Sequence, residues 1–492
     1  MKILMVSSEA VPWAKTGGLA DMVSALSVAL ANLGHEVKIV IPRYYSIDRS
    51  KLEAVSGALG VPVGGGEEWS AVYSAFLPDS NKKVQVYFID HEIFFGRDGI
   101  YGIPSEPDFL DNPRRFTFFC KAAFQLCRKI GWFPDIIHTH DWPAAMAAVY
   151  LKFAERHTAE FAGAASILTI HNLGYQGIYD QDNFWYSGLG WDVFYKAGFE
   201  DWRMMNLLKA GLYSADRINT VSPNYAEETK TQNHGFRLDG ALRARGDDYL
   251  GILNGIDTKV WNPGADTLIP KKYSVKNMTG KAEAKEALQK EFGLPVNAEL
   301  PLIGMITRLT DQKGVGELFG PGYGSVWPIC EEMKIQMVLL GTGESWCEHE
   351  IRNLSARLSN FKANIGYSEK LSHLIEAGSD FFLMPSRYEP CGLNQMYSLN
   401  YGTLPIVRKT GGLADTVENY DQETGNGTGF MFDDLTPQAI QNTVGWAVWA
   451  WYNRPAHIKA MRLRAMKQDF SWEKSAEKYI EMYQKAGKEI RA

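Results

Sequence analysis

Lys15-Thr16-Gly17-Gly18-Leu19-Ala20-Asp21 recurs unchanged as Lys409-Thr410-Gly411-Gly412-Leu413-Ala414-Asp415, near the other end of a 492-residue chain. Each copy follows an apolar run (residues 3–6 and 404–407) and opens a stretch with helical spacing. A strand, a glycine turn and a helix N-terminus make a seat for an anion, because the first N–H groups of a helix lack intrahelical partners. Glycine lets that backbone come close to a ligand, and lysine adds a positive charge. Two such loops predict two nucleotide-fold halves facing a shared cleft, with phosphate or sugar bound between them. The alternative is two ordinary strand–loop–helix turns that coincide in sequence.

Outward from the first copy, strand 2–7 leads into a helix with Leu19, Val23, Leu26, Leu30 and Leu33 on its apolar positions. Gly34 follows as a stop, and residues 35–41 form the next strand. This βαβ unit predicts a parallel sheet with a right-handed crossover. Glycine-rich residues 57–66 read as a turn between strands near 69–77 and 84–90. A strand from 135 ends at His140-Asp141-Trp142, with a helix over 143–155, and strand 166–170 ends at His171-Asn172. The pattern then restarts, with strands at 301–307, 335–340, 381–385 and 403–407 and helices near 369–378, 391–401 and 436–452. Gly320, Pro321, Gly322 and Gly324 predict a broken or late-starting helix in 317–330. Asn254-Gly255-Ile256-Asp257 marks the boundary between domains 1–255 and 256–470. The amphipathic stretch 471–492, with Trp472, Ala476, Tyr479 and Tyr483 on one face, could pack on either half.

Composition narrows the function classes. The chain is too long for one core, and 45% hydrophobic with 22% charged residues is typical of a soluble globular protein. No apolar run predicts a membrane span, and the N-terminal run stops at Ser7-Ser8-Glu9, too soon for a signal peptide. Five scattered cysteines without a CxxC pair fit a reducing cytoplasm and no structural zinc. A net charge of -6 argues against general nucleic-acid binding, so an anionic ligand must be held by local cations.

Those cations and their partners sit where strands end, the edge at which open α/β sheets bind ligands. Arg308 closes one strand and Lys313 lies in the loop leaving it, so a planar fork and a point charge can meet on one anion. Gly341-Thr342-Gly343 is half of a dinucleotide fingerprint, or simply a tight turn. In residues 385–393, Glu389 precedes Cys391-Gly392-Leu393. A glycine opening a helix there would aim its positive end at a diphosphate while Glu389 binds sugar hydroxyls. Glu389 could equally be a helix-end acid, a placement that stabilises by roughly 0.3–1 kcal/mol. His138 and His140 would share a strand face, yet no third ligand has metal spacing. Asp141 reads better as a polar cleft residue, and His171 stands at a strand end before a glycine-marked loop.

Six motifs in order resemble those of bacterial glycogen synthase and plant starch synthase: Lys-Thr-Gly-Gly-Leu-Ala-Asp from Lys15, His-Thr-His-Asp-Trp from His138, His-Asn-Leu-Gly-Tyr-Gln-Gly from His171, Asn-Gly-Ile-Asp from Asn254, Arg-Leu-Thr-Asp-Gln-Lys-Gly from Arg308, and Arg-Tyr-Glu-Pro-Cys-Gly-Leu from Arg387. The resemblance covers effectively the whole chain. It implies an α/β protein of two Rossmann-like domains facing a deep cleft, the GT-B fold, whose C-terminal helix crosses back to the first domain. It also implies a cytoplasmic retaining glucosyltransferase that moves glucose from ADP-glucose to the non-reducing end of an α-1,4-glucan, with no metal or other cofactor. By the same resemblance Lys15, Gly18 and Asp21 lie at the substrate, Arg308 and Lys313 neutralise the leaving diphosphate, and Tyr367 stacks on adenine. Glu389 and the amides of Cys391, Gly392 and Leu393 hold the glucose. The His171 carbonyl favours positive charge at the anomeric carbon, and Asp141 and Asn254 are further polar positions.

The chain departs from the pattern at three positions. Tyr397 stands where related transferases often carry a second glutamate, Asn394 replaces a common threonine, and Phe95 replaces a frequent tyrosine. Rival readings keep the fold with UDP-glucose as donor or a small sugar as acceptor, or posit a non-catalytic glucan-binding protein. A nicotinamide-dependent oxidoreductase is disfavoured, since neither glycine loop completes GxGxxG.

Overall fold

Residues 3–6, Ile-Leu-Met-Val, are all buried, as expected of a central parallel strand covered by helices on both faces. In the computed structural model, which describes residues 1–491, Lys2–Val6 is flanked by Glu36–Pro42 and Ile136–His140, both parallel to it. The sheet continues through Ala165–Ile170, Arg217–Thr220 and Tyr249–Gly251 on one side and Val84–Asp90 on the other. The chain leaves Lys2–Val6 for one side of the sheet and later returns on the opposite side at Ile136–His140. The switch point therefore lies between the carboxyl ends of these two strands, where open α/β sheets form a crevice. Only the far edge is antiparallel: Gly66–Phe76 pairs that way with Val84–Asp90 and with Leu59–Val63. Residues 57–66, expected as a turn, thus hold most of a strand, and the turn shrinks to Gly64-Gly65, both at positive φ.

The second sheet is parallel throughout, in the order Phe361–Ile365, Gln336–Gly343, Leu302–Leu309, Phe381–Met384, Leu404–Arg408 and Phe430–Phe432. Its switch point lies between Leu302–Leu309 and Phe381–Met384. The first and last of these strands lack a strong sequence signal and were not expected. The helix expected at 391–401 is Asn394–Asn400, because Gly392 takes φ +71 and turns the chain just before it. The glycine therefore shapes the loop rather than opening the helix. In 317–330 the helix is broken into Val315–Phe319 and Val326–Glu332, with the glycine–proline run between them.

By contacts the chain divides into one unit of Met1–Gly255 with the segment from Trp472 onward, and a second of Ile256–Ser471. The last helix, Trp472–Arg491, buries Trp472, Ala476, Tyr479 and Tyr483 in the first unit's core. Polar contacts fix its register. The Tyr483 hydroxyl shares a 2.8 Å hydrogen bond with His138 Nδ1, and Tyr479 accepts one of 3.0 Å from Asn219 Nδ2. His138 Nε2 lies 2.6 Å from Thr169 Oγ1, so both nitrogens of this histidine are engaged within the core.

Tyr483→Phe leaves the buried Nδ1 of His138 without a partner. The expected loss is about 1–3 kcal/mol, read as a lower urea midpoint for the first unit.

Candidate active site

The carboxyl edge of each sheet carries a cluster of polar and charged side chains. In the second unit a cavity of about 290 Å³ opens at the switch point, near the lower end of ligand pockets at roughly 300–1,000 Å³. Arg308, Lys313, Tyr367, Glu389, Gly392 and Leu393 all line it. Three strand ends and the loops behind them thus bring together side chains up to 85 positions apart in sequence (308 to 393). Lys313 Nζ is paired with Glu389 Oε2, and Ser386 Oγ donates to the same carboxylate at 2.8 Å. The guanidinium of Arg308 has no ion-pair or hydrogen-bond partner among the described residues, so its charge is uncommitted. Arg387, by contrast, is bound to Asp311 and Glu317. Tyr367 exposes 81% of its surface, leaving a ring face open for stacking. Cys391 is buried behind Gly392 and Leu393.

The second copy of the repeated heptapeptide supports this loop and is no open seat. A Cβ on Gly411 would lie 1.8 Å from the carbonyl oxygen of Glu389, and one on Gly412 would lie 1.9 Å from that of Cys391. Gly412 N donates to Glu389 O at 3.0 Å. The glycines let two backbones touch, and the anion-binding expectation for this copy fails because protein already fills the place. Asn394, where a threonine is common, donates to the Ile306 carbonyl at 2.8 Å and ties the start of its helix to the neighbouring strand. Tyr397, in place of a second glutamate, stacks on Trp261 with ring centroids 3.9 Å apart.

The first copy is different. Gly17 has open space where its Cβ would be, and exposed Gly18 begins the helix Gly18–Asn32 without a side-chain cap. Its first N–H groups therefore stay available. Lys15 pairs with Asp21 at 2.8 Å in an exposed contact, of a kind worth roughly 0–1 kcal/mol and easily exchanged for a ligand. Buried Glu9 holds the loop in place. It accepts from Thr16 N at 2.5 Å, from Thr16 Oγ1 at 2.7 Å and from Tyr101 at 2.6 Å. Sequence reasoning used Glu9 only to end an apolar run. Its place just past a strand end at the switch point was the signal available.

Across that switch point Asp141 sits at φ 55, an uncommon backbone state for a residue with a Cβ. Its Oδ1 accepts the backbone N–H of His171 at 2.7 Å, so it fixes the loop whose carbonyl and ring are of interest. Burial pushes the Asp141 carboxyl up to about 7, against the lowering effect of the His171 and Asn172 amides. His171 Nε2 lies 3.2 Å from His140 Nδ1. Burial lowers His171 and His138 to about 3 and takes His140 well below its ordinary value, so all three are neutral near pH 7. Among the described residues no cluster of three or more His, Cys, Asp or Glu could hold a metal ion. Asn254 is buried with its Oδ1 unpartnered. Phe95 is wholly enclosed, edge-on to Tyr44, and offers nothing to a ligand. No helix among the described residues is long and apolar enough to cross a membrane.

Comparison with known proteins places these clusters in context. The family described as starch synthase catalytic domain matches residues 2–244, and the one described as glycosyl transferases group 1 matches residues 289–449. A glycogen synthase of Treponema denticola is 59% identical over 483 residues, covering 98% of each chain. Glycogen synthase 1 of Geobacter metallireducens is 44% identical over 99% of this chain and 96% of its own. Among solved structures, the catalytic domain of starch synthase IV from Arabidopsis thaliana, bound to ADP and acarbose, superposes with a TM-score of 0.88 at 31% identity, covering 99% of both chains. A sucrose-phosphate synthase from Thermosynechococcus elongatus, at 16% identity and a TM-score of 0.58 over 98% of both chains, shares the fold.

Two outcomes follow from the geometry. The unfolded chain takes protons on its histidines below about pH 6.5, whereas His171 and His138 in the folded chain refuse them until about 3. Stability is therefore lost as pH falls through that window. Asp141, protonated in the folded state below about 7, opposes this with one proton against three. A His171→Asn variant should flatten the dependence of unfolding free energy on pH between 6 and 4.5 by about 1.4 kcal/mol per pH unit. Gly411→Ala should push the Glu389 loop off the cavity and abolish most turnover, while circular dichroism stays near that of the parent chain.

Proposed function

Because the chain belongs to the bacterial glycogen synthase and starch synthase family, we propose that it extends α-1,4-glucans at their non-reducing ends with glucose from ADP-glucose, retaining the anomeric configuration. The observation that carries this reading is the cavity in which an uncommitted Arg308, a Lys313–Glu389 pair and an exposed Tyr367 meet at one sheet edge. A nucleoside diphosphate-glucose needs those groups: cations for the diphosphate, a carboxylate for sugar hydroxyls and a flat face for the base.

Breaking the sugar–phosphate bond puts negative charge on the departing ADP and oxocarbenium-like positive charge on the ring. Fixed cations stabilise the first of these without reorganising, which is the main economy of electrostatic catalysis. Lys313 turns from Glu389 to the phosphates when the donor binds, before the bond breaks, and Glu389 keeps the Ser386 hydroxyl as well as the sugar. The amides of Cys391, Gly392 and Leu393 add donors to the glucose. ADP leaves as a stabilised anion, so no strong acid has to protonate it. Retention without a second carboxylate, Tyr397 being stacked on Trp261, favours attack from the face the diphosphate leaves, with a phosphate oxygen taking the acceptor's proton.

In the first unit, Lys15, Gly18 and Asp21 offer a cation and free amides to the substrate. The carbonyl of His171 supplies negative potential for the anomeric carbon, and Asp141 keeps that carbonyl in place through the His171 amide. Asn254 offers an unsatisfied amide oxygen to a sugar hydroxyl.

Transfer of labelled glucose to glycogen, with ADP-glucose and UDP-glucose in parallel, tests the reading. Arg308→Ala and Lys313→Ala should each lower kcat with ADP-glucose by about 10²–10³-fold, the range for losing one preorganised donor. The melting temperature should be unchanged for Arg308→Ala and lowered for Lys313→Ala, which leaves buried Glu389 unpaired. Near-normal rates in both variants would remove the diphosphate from this cavity.

A further inference from the structure

Trp202 exposes 82% of its surface, more than any other aromatic among the described residues and level with Tyr367. It stands with Arg203 at the tip of a two-residue hairpin between Glu200–Asp201 and Met204–Asn206. Both tip residues have positive φ, 53 and 66. That geometry is the type I′ turn, which favours Asn-Gly because a Cβ is strained in the left-handed region. Here a bulky indole and an arginine occupy both strained positions, and the indole contributes no burial in return. Local stability is given up to hold a flat face in water.

The hairpin is built onto the His171 loop. Residue 178 follows that loop directly, and Ile178–Asp180 pairs with Met204–Asn206 as the third strand of a small sheet. Leu207 N donates to Gly177 O and Leu208 N to Gln176 O, each at 3.0 Å. Asn206 Nδ2 donates to Gln176 Oε1 at 2.7 Å, and Arg237 holds Asp201 at 3.0 Å. The tip is therefore a fixed arm and not a loose loop. From the Asn206–Ile178 pairing, Met205 and Met204 carry the strand about 7 Å outward to the Trp202–Arg203 turn.

We infer that Trp202, with Arg203 beside it, is a remote stacking platform for the acceptor glucan, which it engages several glucose units from the reacting end. The inference rests on the reading of this protein as a glucan-extending enzyme. The pyranose ring has an apolar face that lies on indole, and the arginine donates to the hydroxyls at its rim. A platform set beyond the loop favours long acceptors, which can lie on it while their non-reducing end is at the reacting centre, over short ones.

The test compares acceptors in the full-length protein. Trp202→Ala should raise KM for glycogen and maltoheptaose about two- to tenfold, the range of one aromatic contact, and leave KM for ADP-glucose and kcat/KM for maltotriose unchanged. The double variant Trp202→Asn, Arg203→Gly should show the same acceptor defect together with a melting temperature equal to or above the parent's, because its turn is relaxed. A purely structural tip would not pair those two results. Unchanged KM for the long acceptors, or an equal rise for maltotriose and glycogen, would overturn the platform. Calorimetric titration of maltoheptaose without donor separates this inference from the one beneath it. Loss of that binding in Trp202→Ala supports the platform even if no glucose is transferred, and equal binding by both proteins refutes it even if transfer is normal.

Discussion

The direction of the strands is the constraint on which the rest depends. In both sheets the central strands run parallel, so each chain reversal from strand to helix falls on one edge, and at a switch point two such loops diverge to leave a crevice. Glu9, Lys15 and Asp141 flank that crevice in the first unit. Arg308, Lys313 and Glu389 flank it in the second. Residues more than a hundred positions apart, such as Glu9 and Asp141, become neighbours without any long-range contact having to select them individually.

Within that frame, charge is distributed unevenly. Lys15 and Lys313 are paired with carboxylates, while Arg308 is not. The Lys15–Asp21 pair is exposed and of little net value, whereas the Lys313–Glu389 pair is largely enclosed and fixes both side chains at the cavity. Neutral His138, His140 and His171 follow the opposite rule. Burial keeps protons off them, so His140 meets His171 at the loop, and His138 meets Tyr483 and Thr169 in the core, as neutral hydrogen-bonding groups that add no cationic charge.

Much of this was legible in the sequence, and the reasons are particular. The strands with continuous apolar runs, residues 3–6 and 404–407, announce themselves because both faces are buried. Arg308, Lys313 and Glu389 stand directly after such runs, where sheet topology makes position informative. The edge strand Phe361–Ile365 escapes an apolar-run reading because Lys362 and Asn364 interrupt it, and Phe430–Phe432 because three residues are too short a run to mark a strand. Glu9 was missed because a single carboxylate two residues beyond a strand has no motif of its own. Its importance arises from three hydrogen bonds to Thr16 and Tyr101, one of them 92 positions away. No local pattern encodes that.

The repeated heptapeptide shows where local sequence stops determining chemistry. Both copies follow a strand and open a helix, so backbone propensity gives them the same start. What differs is the company. At Gly17 there is open space, and the amides of a fifteen-residue helix stay available. At Gly411 and Gly412 the carbonyls of Glu389 and Cys391 come so close that no side chain could fit, and the helix ends after six residues. The same absence of a Cβ leaves open space in one place and admits a neighbouring backbone in the other. An anion seat therefore needs a vacant approach as well as glycines and a helix end, and the vacancy is a property of the tertiary fold. The second copy still sets the height of the Glu389 loop. The two identical segments thus end in different surroundings: open space at the first, and packing against the Glu389 loop at the second.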